Sequence, residues 1–251
     1  MSILNDGLEQ ELNWVTIPEE NSRIRGVLEN ADGLMQDIAY NVIIGNHHES
    51  DRLTKEALDK GFLANTILDD GLIAGMSIVG VKFRDNVIFV PEVLVAARAM
   101  KVGMKHLEPI LSASGIKPIG TVIMGTVQGD LHDIGKNLCG MMLSGAGFSV
   151  HDLGVDTKPD EFITAVKEHK AELVGMSALL TTTMRNIEKI NQAFQEVGLR
   201  DKIKTMAGGA ALTEDLALKM RCDGYGKDAL GCVEKANELL KILKQSEPVT
   251  N

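Results

Sequence analysis

The chain has 251 residues, a net charge of −9, and only nine aromatic side chains against 25 Gly and 12 Met. At 44 % hydrophobic and 24 % charged it has apolar material for one large or two small domains, which excludes a disordered or collagen-like chain. Residues 1–37 carry −6 of the charge, the rest is close to neutral, and no basic stripe is present of the kind a nucleic-acid backbone requires.

Residues 1–31 form an acidic extension with weak periodicity, read as a short helix and an extended arm. Residues 32–111 read as a four-helix bundle. The first helix carries Leu34, Ile38 and Val42 at helical spacing. The second is capped by Ser50, runs through Ala57 and Leu58 and stops at Gly61, after a solvated turn at His47-His48. The third runs from Asn65 to Val79. The fourth begins near Pro91 with Val93, Leu94, Ala97, Met100, Met104 and Leu107 inward, and ends near Pro109. Residues 112–118 read as a linker.

From residue 119 to 251 the pattern becomes alternation. Apolar runs at Gly120–Gly125, Ser149–Leu153, Leu173–Ser177, Ile203–Ala207 and Cys222–Tyr225 are separated and followed by helical stretches of about eight to sixteen residues. This is the grammar of an α/β, Rossmann-like (flavodoxin-like) domain with a five-stranded parallel sheet. Such sheets bind ligands beyond the carboxyl ends of their strands, which directs attention to the loops after Gly125, Ser177 and Ala207. The three cysteines, Cys139, Cys222 and Cys232, form no CxxC and read as reduced thiols. The acidic start and the lack of an apolar run of about 18 residues give the expectation of a cytoplasmic chain with neither a nucleic-acid nor a membrane partner.

The first loop, Gly125 to Asn137, contains Asp130-x-His132-x-x-Gly135 and matches neither a dinucleotide fingerprint nor a P-loop. Gly125 and Gly129 read as turn residues, and Gly135 as a close-packing residue. A carboxylate two residues from an imidazole can orient a metal-ligating histidine; equally, Asp130 or Asp133 can cap the following helix and leave His132 a surface residue. The second loop, Ser177 to Met184, offers four hydroxyls, which can be capping groups or ligand contacts. The third, Ala207 to Ala211, has no side chain larger than methyl.

Asp130-x-His132-x-x-Gly135, then Ser177-x-Leu179, then Gly208-Gly209 resembles the signature of cobalamin-binding domains of the methionine-synthase and corrinoid-protein type. The segments Val79-Gly80-x-x-Phe83 and Phe89-Val90-Pro91-Glu92-Val93 resemble the helical cap of the same family, and Ala178 to Met184 is most similar to stand-alone corrinoid proteins of methyltransferase systems. The resemblance covers residues 34–245. It implies that His132 is the lower axial ligand of cobalt in base-off, His-on cobalamin, with Asp130 on its far nitrogen and Ser177 or a threonine up to Thr183 extending the relay. It further implies that Gly129, Leu131, Asp133, Gly135, Leu179 and Thr181 contact the cofactor. Ser177 and Thr181 would contact its nucleotide tail, Gly208 and Gly209 would leave the tail's slot open, and Phe89 with the helix from Pro91 would cover the methyl-bearing face. Tyr225, from its place near the fifth strand end, reads either as a border of that tail or as a residue with no part in it. The implied activity is methyl carriage between a donor-specific methyltransferase and an acceptor methyltransferase, which uses tetrahydrofolate or a coenzyme thiol, with a reductive activase as a further partner. The alternatives are a cobalamin-dependent sensor or regulator, for which residues 1–31 are short and acidic, and a mutase small subunit, which normally lacks the helical cap.

Overall fold

The computed structural model describes residues 28–113 and 117–246, with residues 10–11, 22 and 25–26 before them. Of the short helix and extended arm expected over residues 1–31, residues 10–11, 22, 25–26 and 28–30 are described and are helical rather than extended; the other residues before Leu28 and residues 114–116 of the linker lie outside the described residues. The chain forms two compact units, Met1–Lys117 and Pro118–Asn251.

The first unit is helical. Its α1, Gly33–Ile43, is capped by Asp32, whose carboxylate accepts the Leu34 amide at 2.9 Å. Next, α2 spans His47–Asp59. Its cap is Asn46 rather than Ser50, so His47-His48 is the first helical turn; the Ser50 hydroxyl is spent internally on the Ala99 carbonyl at 2.8 Å. A third helical stretch, α3, passes through Ala64–Thr66, a π-helical Ile67–Ile73 and Ala74–Arg84. The last, α4, spans Val90–Ala113 and continues through Pro109, which sits on an exposed face where the carbonyl a proline leaves unpaired can meet water. Met35, Ile38, Leu53, Ile67, Leu72, Met76, Val93, Met100 and Leu107 form the core; Leu94, expected inward, is exposed. Lys82 is also buried and pairs with Glu11 of the acidic start, and burial pushes its amine pKa down.

The second unit is a five-stranded parallel sheet of order β2-β1-β3-β4-β5, with β1 Thr121–Thr126, β2 Ser149–Asp152, β3 Leu173–Ser177, β4 Lys204–Gly208 and β5 Gly224–Gly226. The helices are α5 Ile134–Gly145, α6 Pro159–His169, α7 Arg185–Glu196, α8 Glu214–Lys219 and α9 Ala229–Ser246. One core layer joins Ile123, Val174 and Ala207 of the strands to Phe162, Ile187, Phe194 and Ala217 of α6, α7 and α8. Each wholly buried Phe contributes roughly 1.5–3 kcal/mol. Gly125 is not the expected turn residue: it lies inside β1, where an added Cβ would come within 2.6 Å of the Phe162 ring, so its missing side chain makes room for that ring. The helices α5 and α9 pack on each other and on the strands as the second layer.

The order reverses between β1 and β3: the connection from β1 leads outward to β2, and the chain then returns to the other side of β1. The crevice at such a switch point, beyond the carboxyl ends, is where doubly wound sheets hold ligands. The register places Thr126, Ser177, Gly208 and Gly226 in one row across four strands, so the three loops singled out by sequence leave the sheet from one line.

Candidate functional site

At this crevice the loop after β1 meets the loop after β3 through one carboxylate. Asp130 is 0 % exposed and its two oxygens take five donors. Oδ1 accepts the His132 amide at 3.1 Å and the His132 ring Nδ1 at 2.7 Å. Oδ2 accepts the amides of Leu179 at 2.8 Å and Leu180 at 3.3 Å, and the Thr183 hydroxyl at 2.7 Å. The single Thr183 proton also has the Leu180 carbonyl within 3.0 Å, but Asp130 is nearer and charged. Burial pushes the Asp130 pKa up, and the hydrogen bonds from Thr183, His132 and the Leu179 amide outweigh it, so the carboxyl is held well below the usual range.

An ionised Asp130 is acceptor-only, so the proton in its bond to the imidazole sits on Nδ1. That fixes the tautomer and leaves Nε2 of the neutral ring with a lone pair. The His132 side chain is 51 % exposed, and Nε2 makes no hydrogen bond among the described residues. Neither aspartate caps α5 with its side chain: Asp133 holds the N-cap position, but its carboxylate accepts the Asn137 side-chain amide at 3.0 Å instead of a backbone amide of the first turn. Two large apolar side chains flank the imidazole in sequence and face solvent, Leu131 at 72 % and Ile134 at 75 % exposed; Leu179 and Leu180 are partly exposed as well. Gly135, expected to pack closely, is exposed, and an added Cβ would meet nothing within 4 Å.

The other residues singled out by sequence fall as follows. Gly129 has φ +83° and does turn the loop. Ser177 ends β3 in the shared row and its carbonyl accepts the Val127 amide at 3.0 Å; Thr181 is exposed. Gly208 and Gly209 serve close loop packing: a Cβ on Gly208 would come within 2.9 Å of the Gly226 carbonyl, and one on Gly209, at φ +131°, would collide with the Ala178 carbonyl. The Tyr225 hydroxyl donates to the Leu212 carbonyl at 3.0 Å and so ties down the loop after β4. Phe89 belongs to the other unit, just ahead of α4, and is 61 % exposed. Sequence reasoning missed Thr126, whose hydroxyl donates to the His132 carbonyl at 2.9 Å, and Asn186, whose amide donates to the Gln128 carbonyl at 2.6 Å. Both act on backbone, and side-chain patterns carry no signal for that. His151 and His169 stack with centroids 3.6 Å apart, and His106 pairs with Asp51 at 2.9 Å. Among the described residues no three or more His, Cys, Asp or Glu are arranged to hold a metal, His47-His48 included. The imidazole is therefore suited to a metal whose other ligands come from elsewhere, as in a metallated macrocycle, and the apolar rim beside it suits the edge of one.

Family models described as B12 binding domain match residues 34–108 and 120–234. The chain is 40 % identical to dimethylamine corrinoid protein 3 of Methanosarcina acetivorans over 216 residues, covering 85 % of this chain and 100 % of the relative. It is 43 % identical to trimethylamine corrinoid protein 2 of Methanosarcina mazei over 192 residues, covering 76 % and 88 %. The chain belongs to the corrinoid proteins of methyltransferase systems. Among solved structures, this corrinoid protein matches the methanol:cobalamin methyltransferase complex of Methanosarcina barkeri with a TM-score of 0.77 at 28 % identity, over 99 % of this chain and 95 % of that one. A cobalamin-binding protein of Desulfitobacterium hafniense matches with a TM-score of 0.67 at 26 % identity, over 82 % and 98 %. The cofactor of this corrinoid protein is cobalamin or a related corrinoid. Among the described residues no helix is long and apolar enough to cross a membrane.

Proposed function

We propose that this corrinoid protein holds cobalamin in the base-off, His-on form and carries a methyl group from a donor-specific methyltransferase to an acceptor methyltransferase. The observation that carries the reading is His132: half exposed, its Nδ1 held by a buried, ionised Asp130, its Nε2 left with a lone pair. The corrin's cobalt supplies the centre at which the methyl group is taken up and given away.

The chain's own residues orient and tune that centre. Asp130 fixes the imidazole plane and raises its basicity, and Thr183 with the Leu179 and Leu180 amides holds Asp130. A proton shared along Thr183, Asp130 and Nδ1 would adjust as the Nε2 lone pair is engaged or released. Leu131, Ile134 and the bare Gly135 surface are assigned to the corrin, Ser177, Thr181, Gly208 and Gly209 to its nucleotide tail, and Phe89 to the methyl-bearing face.

Named partners support the role. Several of the relatives are dimethylamine or trimethylamine corrinoid proteins, and the Methanosarcina barkeri match is a complex with a methyltransferase. A methylamine-type donor enzyme is accordingly proposed as the first partner, with a reductive activase as the third.

The test is reconstitution with cobalamin, followed by absorbance spectra and the cobalt(II) EPR spectrum of wild type and His132→Ala. The wild type should show nitrogen splitting from an imidazole that His132→Ala lacks. Identical spectra would refute the axial-ligand assignment.

A further inference from the structure

The turn after β2 grips the His132 segment on both sides. Three residues before His132, the Gly129 amide donates to the Asp156 carboxylate at 2.7 Å; one residue later, the Asp130 carbonyl accepts the Asp156 amide at 3.0 Å. Four residues after His132, the buried Lys136 of α5 pairs with Asp152 at the end of β2. The other oxygen of Asp152 accepts the Gly154 amide at 2.9 Å, the Gly154 carbonyl accepts the Thr126 amide at 3.0 Å, and Thr157 bridges to Val127. A single turn, residues 152–157, thus contacts the strand end, the loop and the helix between which His132 is suspended.

Asp156 itself has φ +55°, a left-handed conformation that costs an ordinary residue free energy and that Asp and Asn tolerate better than most. In that conformation its amide and its carboxylate reach the same stretch, Gly129-Asp130. Nothing else among the described residues gives the Gly129 amide a partner. The same pair of contacts sets where the Asp130 carboxylate lies, and Asp130 sets the imidazole.

We propose that Asp156 is a positioning residue for the cobalt-ligating imidazole, acting through Gly129 and Asp130 as one arm of a brace whose other arm is Asp152–Lys136. This deepens the axial-ligand reading above and rests on it. The brace is complete in the protein's own hydrogen bonds, so it predisposes His132 to one orientation before any cofactor arrives, which lowers the ordering cost of binding.

Three chains separate this from a general folding role: wild type, Asp156→Gly, which keeps the left-handed backbone and deletes the acceptor, and Asp156→Asn, which keeps both. In the cofactor-free full chain, Asp156→Gly should retain the wild-type circular dichroism and thermal midpoint. Its Gly129 amide should exchange about tenfold faster, and the 15N shifts of the His132 ring should move toward a mixed-tautomer average. Loaded with cobalamin, it should show a reduced nitrogen-split fraction in the cobalt(II) EPR spectrum, and Asp156→Asn should match wild type in every readout.

Unchanged Gly129 exchange and His132 shifts in Asp156→Gly would overturn the proposal. So would Asp156→Asn behaving like Asp156→Gly, or loss of the fold in Asp156→Gly, which would make Asp156 a folding residue. If His132→Ala leaves the loaded spectrum unchanged the ligand reading fails by itself, while exchange and ring shifts in the cofactor-free chain still decide Asp156.

Discussion

Gly135→Ala separates stability from cofactor binding. Gly135 is the second residue of α5, its φ is not left-handed, and an added Cβ would meet no atom within 4 Å. On the chain alone the substitution is favourable, because Ala loses less backbone entropy on entering a helix and a first-turn position retains part of the full helical preference of about 1 kcal/mol. A gain of about 0.5–1 kcal/mol in a unit of this size raises the thermal midpoint by about 2–4 °C. The same methyl, however, stands on the exposed surface one turn from His132, where the corrin is placed. A tenfold loss in affinity, about 1.4 kcal/mol, is the least expected from forcing the macrocycle off that surface. Thermal unfolding of the cofactor-free chain by circular dichroism and an equilibrium dialysis titration with cobalamin measure the two effects. Wild-type affinity in Gly135→Ala would refute the placement of the corrin, and a lowered thermal midpoint in the cofactor-free chain would refute the claim that this glycine is free of the fold.

Thr183→Ala removes one of five donors from a buried carboxylate and should cost about 1.5–3 kcal/mol in urea unfolding of the cofactor-free chain, with Thr183→Ser restoring most of it; a cost below 0.5 kcal/mol would show that the hydroxyl is dispensable to Asp130. Gly209→Ala should destabilise by about 3 kcal/mol or more, since the new Cβ collides with the Ala178 carbonyl at a left-handed φ, and an unchanged urea midpoint would contradict that packing. Burial pushes the Cys222 thiol up to about 11. Between pH 9 and 11 the unfolded chain ionises this thiol and the folded chain does not, so the unfolded state binds fewer protons and stability falls as pH rises, by roughly 3 kcal/mol in all. Cys222→Ala should flatten that part of the alkaline decline in urea midpoints, and a parallel decline in both chains would count against it.

The sheet was readable because its strands are short β-branched and apolar runs between helical stretches; for β3 the bounds, Leu173–Ser177, coincide. Misreadings arose where one residue type serves several purposes. Ser50 has the chemistry of a cap and spends it on a carbonyl 49 residues away, while Asn46 does the capping. Pro109 reads as a stop, yet a proline on a helix's exposed face leaves the next turns possible. At the site, the spacing of Asp130 and His132 could not exclude a helix cap, and the three threonines after β3 were equivalent as letters. The fold chooses Thr183, because the turn after β3 points that hydroxyl at Asp130. Asp156, Thr126 and Asn186 stayed hidden because their partners are main-chain groups, which every residue possesses alike.

The donors to Asp130 have a consequence for the order of assembly. Three of the five come from residues 49 to 53 positions further along the chain. Closing a loop of that length costs about 3–4 kcal/mol of chain entropy, which the pairing of β1 with β3 and the core packed on them offset. A nascent or half-folded chain therefore has an imidazole but not an aligned one. Cofactor capture becomes a late event that reports on a finished sheet, and a chain that fails to assemble presents no aligned imidazole to the cofactor.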